Sequence, residues 1–364
     1  MSSHLQNILF RLIRIAIGTE QVGASFEVGV VEWPKVYEMA RKQGVLAVVF
    51  DGLAKVLEQD KEFAKSFPRD LKLRWIMQTQ SIEQTYARQL ALSAELAERF
   101  AESDIATVCL KGLAVAKYYS VPSHRECGDF DCFLFDKFEE GNKIAEELGA
   151  KVRFDDYKHS HIAYRGLMIE NHKYCTPIRG SAINKKFEIY LQSLLATKSF
   201  EYLGNSKIIT PPPTFNALFI ARHSLTHFLY EGISVRHLID WAYLLKYEQN
   251  HIEWDEFYRW CDLMNMRRFV NVMNSFADQY IGVEITHSKV EFRDRELKKF
   301  VNSTLYDMSS VYNQPKTTLW RQRFTIAKNM FLYRWKYRDI YQKSLFLEWC
   351  KSLYGVFFEK HPKL

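Results

Sequence analysis

The sequence predicts a mostly helical α+β protein in which a small mixed sheet lies between two helical regions. Apolar residues recur every three or four positions towards both ends of the chain, most clearly over residues 71–102, which contain neither Gly nor Pro. Short apolar runs bounded by Gly or Pro are concentrated in the middle. We therefore predict an N-terminal helical region at 1–103, an α/β core at 104–195 and a C-terminal helical domain at 196–364.

The composition is that of a folded protein with a sizeable core. The chain has 364 residues, of which 47% are hydrophobic, and this excludes general disorder. Its 15 glycines and 9 prolines are too few for a loop-rich all-β protein. The sequence has no signal-peptide pattern and no run of about 18 apolar residues, so we expect no transmembrane segment. Its six cysteines form no CxxC pair, which favours reduced thiols and a cytoplasmic location.

The net charge of +7 is concentrated near the C-terminus. Residues 315–364 hold 11 Lys or Arg against 3 Asp or Glu, an excess of 8, so the rest of the chain is almost neutral. Between residues 320 and 358 these basic side chains alternate with aromatic ones. This basic aromatic tail could bind a nucleic acid, an anionic polymer or a membrane surface. We favour the simpler interpretation, a helix that packs through its aromatics and leaves its basic face in solvent.

The breaks in the sequence define the predicted elements. In the core, strands and helices are expected at residues 105–110, 113–119, 130–135, 137–148, 161–164 and 167–172. The last two segments should form a hairpin that turns at Arg165-Gly166. Further helices are expected at residues 217–230, 235–246, 254–264 and 319–358. Thr214 is the expected N-cap of the first of these helices.

Two carboxylates stand two positions apart in the segment Gly128-Asp129-Phe130-Asp131. On a strand such residues project from one face, and neighbouring carboxylates repel each other unless a cation lies between them. Mg²⁺ prefers oxygen ligands and usually shares them with substrate phosphates. The pattern therefore favours metal-assisted transfer of a phosphoryl-type group. Glu170, on a predicted neighbouring strand, is the candidate for a third carboxylate.

A Lys111-Gly112 pair lies between the predicted strand at 105–110 and the predicted helix at 113–119. Backbone N–H groups at the start of a helix favour phosphate, and Lys111 can add a positive charge there. Both this pair and an Asp-x-Asp segment are common in proteins that bind neither metal nor phosphate. Their order along the chain makes the combination informative.

In this order the motifs resemble the bacterial uncharacterised nucleotidyltransferase family, which is part of the DNA-polymerase-β-type nucleotidyltransferase superfamily. The matching segments are Leu110-Lys111-Gly112, Arg125, Gly128-Asp129-Phe130-Asp131, Glu170-Asn171-His172, Arg222-His223 with His227, and Arg236 with Asp240. The resemblance covers roughly residues 30 to 270. Lys-Gly stands where the superfamily has Gly-Ser, so the serine contact to the phosphate is missing.

The resemblance implies a role for each matching residue. Asp129, Asp131 and Glu170 would bind Mg²⁺ (or Mn²⁺) and carry catalysis. The phosphates of a nucleoside triphosphate, such as ATP, would be held by Lys111, Gly112, Arg125 and Gly128. The residues that could line the remaining cleft are His172, His223, His227, Arg236 and Asp240.

Several of these residues also have simpler explanations. His223 and His227 have the i, i+4 spacing of a zinc pair, but the sequence offers no evident third ligand, and we expect a structural or substrate-facing role. Arg236 and Asp240 have the same spacing and could form an ion pair on the helix surface or line the cleft. The His-Ser-His segment at 159–161 is either a surface pair or a source of a general base.

We therefore expect an enzyme that moves a nucleoside monophosphate from an NTP to an acceptor hydroxyl and releases pyrophosphate. The acceptor would be a small molecule or a sugar. The resemblance to genes found near polysaccharide clusters suggests a polysaccharide precursor. One alternative is a toxin-like enzyme that modifies tRNA or a protein and docks through the basic aromatic tail. The other is a catalytically silent interaction protein that keeps the fold.

Overall fold

The computed structural model describes residues 2–23, 31–154, 157–196, 200–287, 293–307, 328 and 330–350. The helices are α1 (Ser2–Ile17), α2 (Trp33–Lys42), α3 (Leu46–Gln59), α4 (Lys61–Ser66), α5 (Arg69–Ala101), α6 (Leu113–Ala116), α7 (Phe138–Glu147), α8 (Ala182–Leu195), α9 (Pro213–Tyr230), α10 (Val235–Glu248), α11 (Trp254–Leu263), α12 (Arg267–Gln279) and α13 (Asp294–Tyr306). Short 3₁₀ turns occupy Pro122–His124 and Gln249–His251, and a π-helical segment occupies Lys336–Tyr341. The predicted predominance of helix is confirmed.

The sheet has seven short strands in the described chain. They are β1 (Thr107–Cys109), β2 (Phe130–Phe133), β3 (Lys151–Arg153), β4 (His159–Tyr164), β5 (Leu167–His172), β6 (Glu201–Tyr202) and β7 (Ile208–Thr210). Their order is β3-β4-β5-β2-β1-β7-β6. The pairs β2–β5 and β1–β7 are parallel and the other neighbours are antiparallel, so the predicted mixed sheet is confirmed.

The predicted hairpin is confirmed and is longer than expected. β4 and β5 pair from Tyr164 opposite Leu167 out to His159 opposite His172. The two turn residues between them, Arg165 and Gly166, both have positive φ, at 49° and 84°. This is the conformation of a type I′ turn, whose twist matches that of the strands and fixes their register.

The alternation of side chains gives the sheet two different faces. One, which we call the apolar face, carries buried residues that pack against the C-terminal half of α5 and against α7. These residues include Cys109, Phe130, Cys132, Ile162 and Ile169. On β4, β5 and β2 the opposite face, which we call the charged face, carries the residues His159, His161, Glu170, His172 and Asp131. On β1 and β7 the side chains of this second face are apolar, and they belong to the main helical core.

The main core unites helices from both ends of the chain. Leu12 of α1, Val108 of β1 and Trp241 of α10 belong to one cluster of buried side chains. α1 and α3 approach so closely that a Cβ on Gly52 would lie 2.0 Å from the carbonyl oxygen of Leu12. Strands β6 and β7 extend the sheet past residue 195. The boundaries at 103 and 195 stay predictions.

The start of α9 differs from the expectation. Thr214 is not its N-cap, because the helix begins at Pro213, a residue whose fixed φ suits the first helical position. The hydroxyl of Thr214 instead accepts a hydrogen bond of 3.0 Å from the backbone N–H of Glu253. The side chain therefore ties α9 to the start of α11.

The predicted helix at 319–358 lies only partly within the described residues, since 319–327, 329 and 351–358 fall outside them. Within the rest, Lys336 is buried and its Nζ donates a 3.0 Å hydrogen bond to the carbonyl oxygen of Phe228. Its assignment to an exposed basic face is therefore wrong. Tyr337 and Ile340 are also buried against the main core. Among the described residues, no helix combines the length and apolarity needed to cross a membrane.

Candidate active site

Asp131 is the most deeply buried carboxylate of the charged face, with 1% of its side chain exposed. It lies on β2, and its Oδ1 is 3.2 Å from Nζ of Lys111 and 3.1 Å from Nε2 of His172. Glu170 stands directly opposite it on the parallel strand β5. The predicted neighbouring position of Glu170 is therefore confirmed.

Asp129 lies just before β2 rather than on it, because the strand begins at Phe130. Its side chain still points to the same place as that of Asp131, since its Oδ1 is 3.9 Å from Nζ of Lys111. The side chain is 35% exposed, in contrast to that of Asp131. The ammonium of Lys111 thus lies beside both carboxylates, as the repulsion between them requires.

Burial and these ion pairs act in opposite directions on the pKa values of Asp131 and Lys111. Burial raises the pKa of Asp131, but the charge of Lys111 and the hydrogen bond with His172 hold the net pKa well below its usual range. Burial lowers the pKa of Lys111, yet the charges of Asp131 and Asp129 raise it overall. Burial raises the pKa of Asp129, and the neighbouring charge of Asp131 raises it further.

Three histidines surround Glu170. Its Oε2 is 3.4 Å from Nε2 of His172, and its Oε1 is 3.7 Å from Nε2 of His159 and 3.6 Å from Nε2 of His161. Burial opposes the ionisation of Glu170, but the hydrogen bond with His172 lowers its pKa overall. The pKa of His159 falls to about 3, first because the ring is buried and then because Lys158 is positively charged.

His172 differs from the other two because both of its ring nitrogens face oxygen atoms. Nε2 faces Asp131 at 3.1 Å, and Nδ1 lies 3.3 Å from the carbonyl oxygen of Tyr174. A ring that donates two hydrogen bonds is an imidazolium. Burial and the charge of Lys158 lower the pKa of His172, but the hydrogen bonds with Asp131 and Glu170 raise it above its usual value.

Gly112 brings the chain close to the acid pair. It precedes α6 with a φ of 62°, and a Cβ there would lie 3.6 Å from the carbonyl oxygen of Asp129. The helix that follows is a single turn, shorter than the predicted helix at 113–119, so its N-terminus contributes little to phosphate binding. Gly128 is exposed, and a Cβ there would meet nothing within 4 Å.

Arg125, which directly follows the turn Pro122–His124, and Asp240 on α10 form a buried ion pair. The guanidinium donates from Nε and Nη2 to the two carboxylate oxygens at 2.9 and 2.8 Å, and the hydroxyl of Tyr119 donates to Oδ1 at 2.6 Å. Of the two interpretations of Arg236 and Asp240, the ion pair on the helix surface is wrong, because the carboxylate of Asp240 binds Arg125, whereas both residues do line the cavity described below. Arg236 donates instead to the backbone carbonyl of Glu126 at 2.6 Å.

Many of the predicted site residues meet around one small cavity of about 50 Å³. Its lining includes Lys111, Gly112, Arg125, Gly128, Asp129, His223, Arg236 and Asp240. Asp131, Glu170 and His172 lie beside Lys111 on the sheet, outside that lining. The structure therefore brings the strand motifs and the α9–α10 motifs together.

His227 does not line the cavity but belongs to a histidine cluster on α9 and α10. The ligand atoms of His223, His227 and His237 all lie within 4.8 Å of one another. Nδ1 of His227 is 2.7 Å from a carboxylate oxygen of Glu231. The third histidine of this cluster, which the sequence spacing did not reveal, is His237, ten positions beyond His227 on the next helix.

The sequence interpretation left open whether His159 and His161 form a surface pair or supply a general base, and it did not connect them with Glu170. The register of the predicted hairpin could have placed these two histidines beside Glu170 and His172. With a two-residue turn at Arg165-Gly166, counting outwards places position 161 opposite Glu170 and position 159 opposite His172, as the structure has them.

A family model matches a large part of the chain. The model of a family described as "Uncharacterised nucleotidyltransferase" matches residues 30–282, more than half of the chain. The matched segment contains the whole sheet, the acid pair, Lys111 and helices α9 and α10. No curated protein and no solved structure matches the chain.

Proposed function

Since the chain belongs to the uncharacterised nucleotidyltransferase family, we propose that it moves a nucleoside monophosphate from an NTP to an acceptor hydroxyl, with release of pyrophosphate. The acceptor would be a small molecule or a sugar. One observation carries the proposal: Asp129 and Asp131 share a single cation, the ammonium of Lys111, at 3.9 and 3.2 Å. Two carboxylates that converge on one cation beside a Lys-Gly turn suit a metal and a triphosphate.

The donor set fits Mg²⁺ (or Mn²⁺). Asp129 and Asp131 would hold it, with Glu170 as the third carboxylate, and all three offer the hard oxygen ligands that these ions prefer. Oδ2 of Asp131 is buried and accepts no hydrogen bond from the part of the chain that the structure describes, so a ligand atom is available. When bound, the ion supplies charge neutralisation on the triphosphate.

The remaining residues have roles that follow from their positions. Lys111, which lines the cavity together with Gly112, would bind the phosphates and leave the carboxylates to the metal. Glu170 would orient the acceptor hydroxyl and accept its proton. Arg125 has two of its guanidinium nitrogens committed to Asp240, so we assign it a positioning role in the cleft wall rather than a primary phosphate contact.

The test is nucleotide binding by thermal shift, with each of the four NTPs, in the presence and absence of Mg²⁺. A ligand at about a hundred times its dissociation constant stabilises the folded state by about 2.7 kcal/mol. We expect a Mg²⁺-dependent shift with the wild type and none with Asp129→Asn. Asp129 is chosen because its partly exposed side chain can lose its charge with little effect on folding.

The matched control is Asp136→Asn. Asp136 lies three residues after the end of β2 and is exposed. It is therefore an aspartate that flanks the same strand as Asp129 but is not one of the site residues. This variant should respond to NTP and Mg²⁺ as the wild type does. A Mg²⁺-dependent shift that survives in Asp129→Asn would exclude the proposed metal site, and no shift in the wild type with any NTP would exclude the proposed substrate.

A further inference from the structure

We propose that His159, His161 and Glu170 form a second metal site, for a transition-metal dication of the zinc class, next to the Asp129–Asp131 pair. The inference concerns metal binding alone and does not depend on nucleotidyl transfer. It arises from His159 and His161, which the proposed function does not use, and it shares Glu170 with the proposed Mg²⁺ site.

The register of the β4–β5 hairpin brings the three ligands together. His161 stands directly opposite Glu170, and His159 is two positions along the same strand, so all three project from one face. The rings of His159 and His161 are in edge contact, with centroids 4.7 Å apart. A two-residue turn fixes this register, and strands hold ligand positions more rigidly than loops do.

The distances between the ligand atoms suit a metal better than they suit hydrogen bonds. Oε1 of Glu170 is 3.7 Å from Nε2 of His159 and 3.6 Å from Nε2 of His161. Both distances are too long for a hydrogen bond. In a tetrahedral zinc site with bonds of about 2.1 Å, two ligand atoms are about 3.4 Å apart. The three ligand atoms all lie within 4.8 Å of one another, so a small contraction would close the site.

His159 is available as a ligand. Neither of its ring nitrogens makes a hydrogen bond within the described residues, and its Nδ1 is buried. Nε2, which lies 3.7 Å from Oε1 of Glu170, is the atom that would coordinate the metal.

The ligand types separate this site from the acid pair. Two imidazoles and one carboxylate form the His₂Glu set of zinc sites that keep an open position, whereas Asp129 and Asp131 offer only oxygen. His172 lies two positions along β5 from Glu170, and its Nε2 is 3.4 Å from Oε2, the oxygen other than the one that faces His159 and His161, so it orients the carboxylate from outside the ligand set. The charged face would then bind two kinds of metal ion, each favoured by a different set of ligand types.

The test is zinc binding to the full chain in excess Mg²⁺, by equilibrium dialysis with metal analysis and by the visible spectrum of bound Co²⁺. The wild type should retain zinc at these histidines and show the intense bands of low-symmetry cobalt. His159→Asn and His161→Asn should each weaken binding more than about tenfold. Asp129→Asn should bind zinc like the wild type, even if it loses the response to NTP, so this proposal and the proposed function can fail separately.

The cluster of His223, His227 and His237 is the control for specificity. A His227→Asn/His237→Asn double variant should keep the cobalt bands that His161→Asn loses. Loss of binding in the double variant, with retention in His161→Asn, would overturn the proposal. So would equal zinc retention in the wild type, His159→Asn and His161→Asn.

One further variant separates coordination from folding. His161 is 24% exposed and tolerates substitution better than a core residue. His161→Cys keeps a metal ligand at this position, and it should retain zinc with a shifted cobalt spectrum. If His161→Cys and His161→Asn lose binding to the same extent, the ring has a structural role and the proposal is wrong.

Discussion

On the apolar face of the sheet, β2 and β5 place Phe130, Cys132 and Ile169 against helices, all of them buried. On the other face, alternate positions of the same strands hold Asp131 and Glu170. Side chains alternate between the two faces with a period of two residues, so the backbone geometry is the same for both faces. The difference teaches that stability and chemistry can be divided between the faces of a few short strands.

The charged face is stable because its charges alternate in sign. Asp131 is almost fully buried, and an unpaired carboxylate there would cost several kcal/mol. Lys111 lies on one side of it and His172 on the other, and both bring positive charge. A metal that took the place of Lys111 would keep the same alternation.

The largest effect on stability should come from the apolar face. Phe130→Ala removes a fully buried ring from the contact with α5, and we expect a loss of about 3–5 kcal/mol in the free energy of unfolding. Met168→Ala on the other face, where the side chain is 39% exposed, should cost less than about 0.5 kcal/mol. Urea unfolding measures both values, and equal costs would show that the two faces do not differ as described.

An intermediate effect should come from Asp131 on the charged face. Asp131→Asn keeps the size of the side chain but removes the charge nearest to Lys111, and we expect a loss of about 2 kcal/mol. Asp129→Asn should cost less than about 0.5 kcal/mol, because its more exposed carboxylate lies 3.9 Å from Lys111. Equal costs for these two variants in urea unfolding would contradict the assignment of Asp131 as the structural partner of Lys111.

The sequence predicted the parts of this arrangement that depend on local patterns. The alternation of apolar and polar residues on both sides of Arg165-Gly166 predicted the hairpin. The strands that carry Asp131 and Glu170 each show a clear pattern of apolar residues, and these strands bring the two carboxylates together. Strands β3, β6 and β7 were not predicted, because two or three residues are too few to show a period.

The contacts that join the sheet to the helical region could not be predicted in this way. Arg125 and Asp240 are 115 positions apart, and only the tertiary packing of α10 brings them together. The spacing of Arg236 and Asp240 suggested a local ion pair, but burial turned Asp240 inwards. For the same reason the sequence could not group His237 with His223 and His227. The angle at which two helices pack cannot be predicted from the sequence of either helix.

A smaller effect than that of Asp131→Asn should come from His172, and it should depend on pH. Its folded-state pKa is raised above the usual value of about 6.5, so its contribution to stability is complete below that pH and is lost as pH rises through the folded pKa. We expect His172→Gln to cost about 1–2 kcal/mol at about pH 6, because a charge-assisted hydrogen bond to Asp131 is replaced by a neutral one. The cost should shrink towards about pH 9.

The control for this prediction is the same substitution in the Asp131→Asn background. Without the carboxylate, His172 has lost the stronger of its two charged partners, and the dependence of the cost on pH should be smaller. Urea unfolding of the four proteins at three pH values forms the double-mutant cycle. A cost that grows with pH, or a coupling between the two residues that does not change with pH, would mean that His172 is neutral in the folded protein. The buried charges on this face would then be balanced by Lys111 alone.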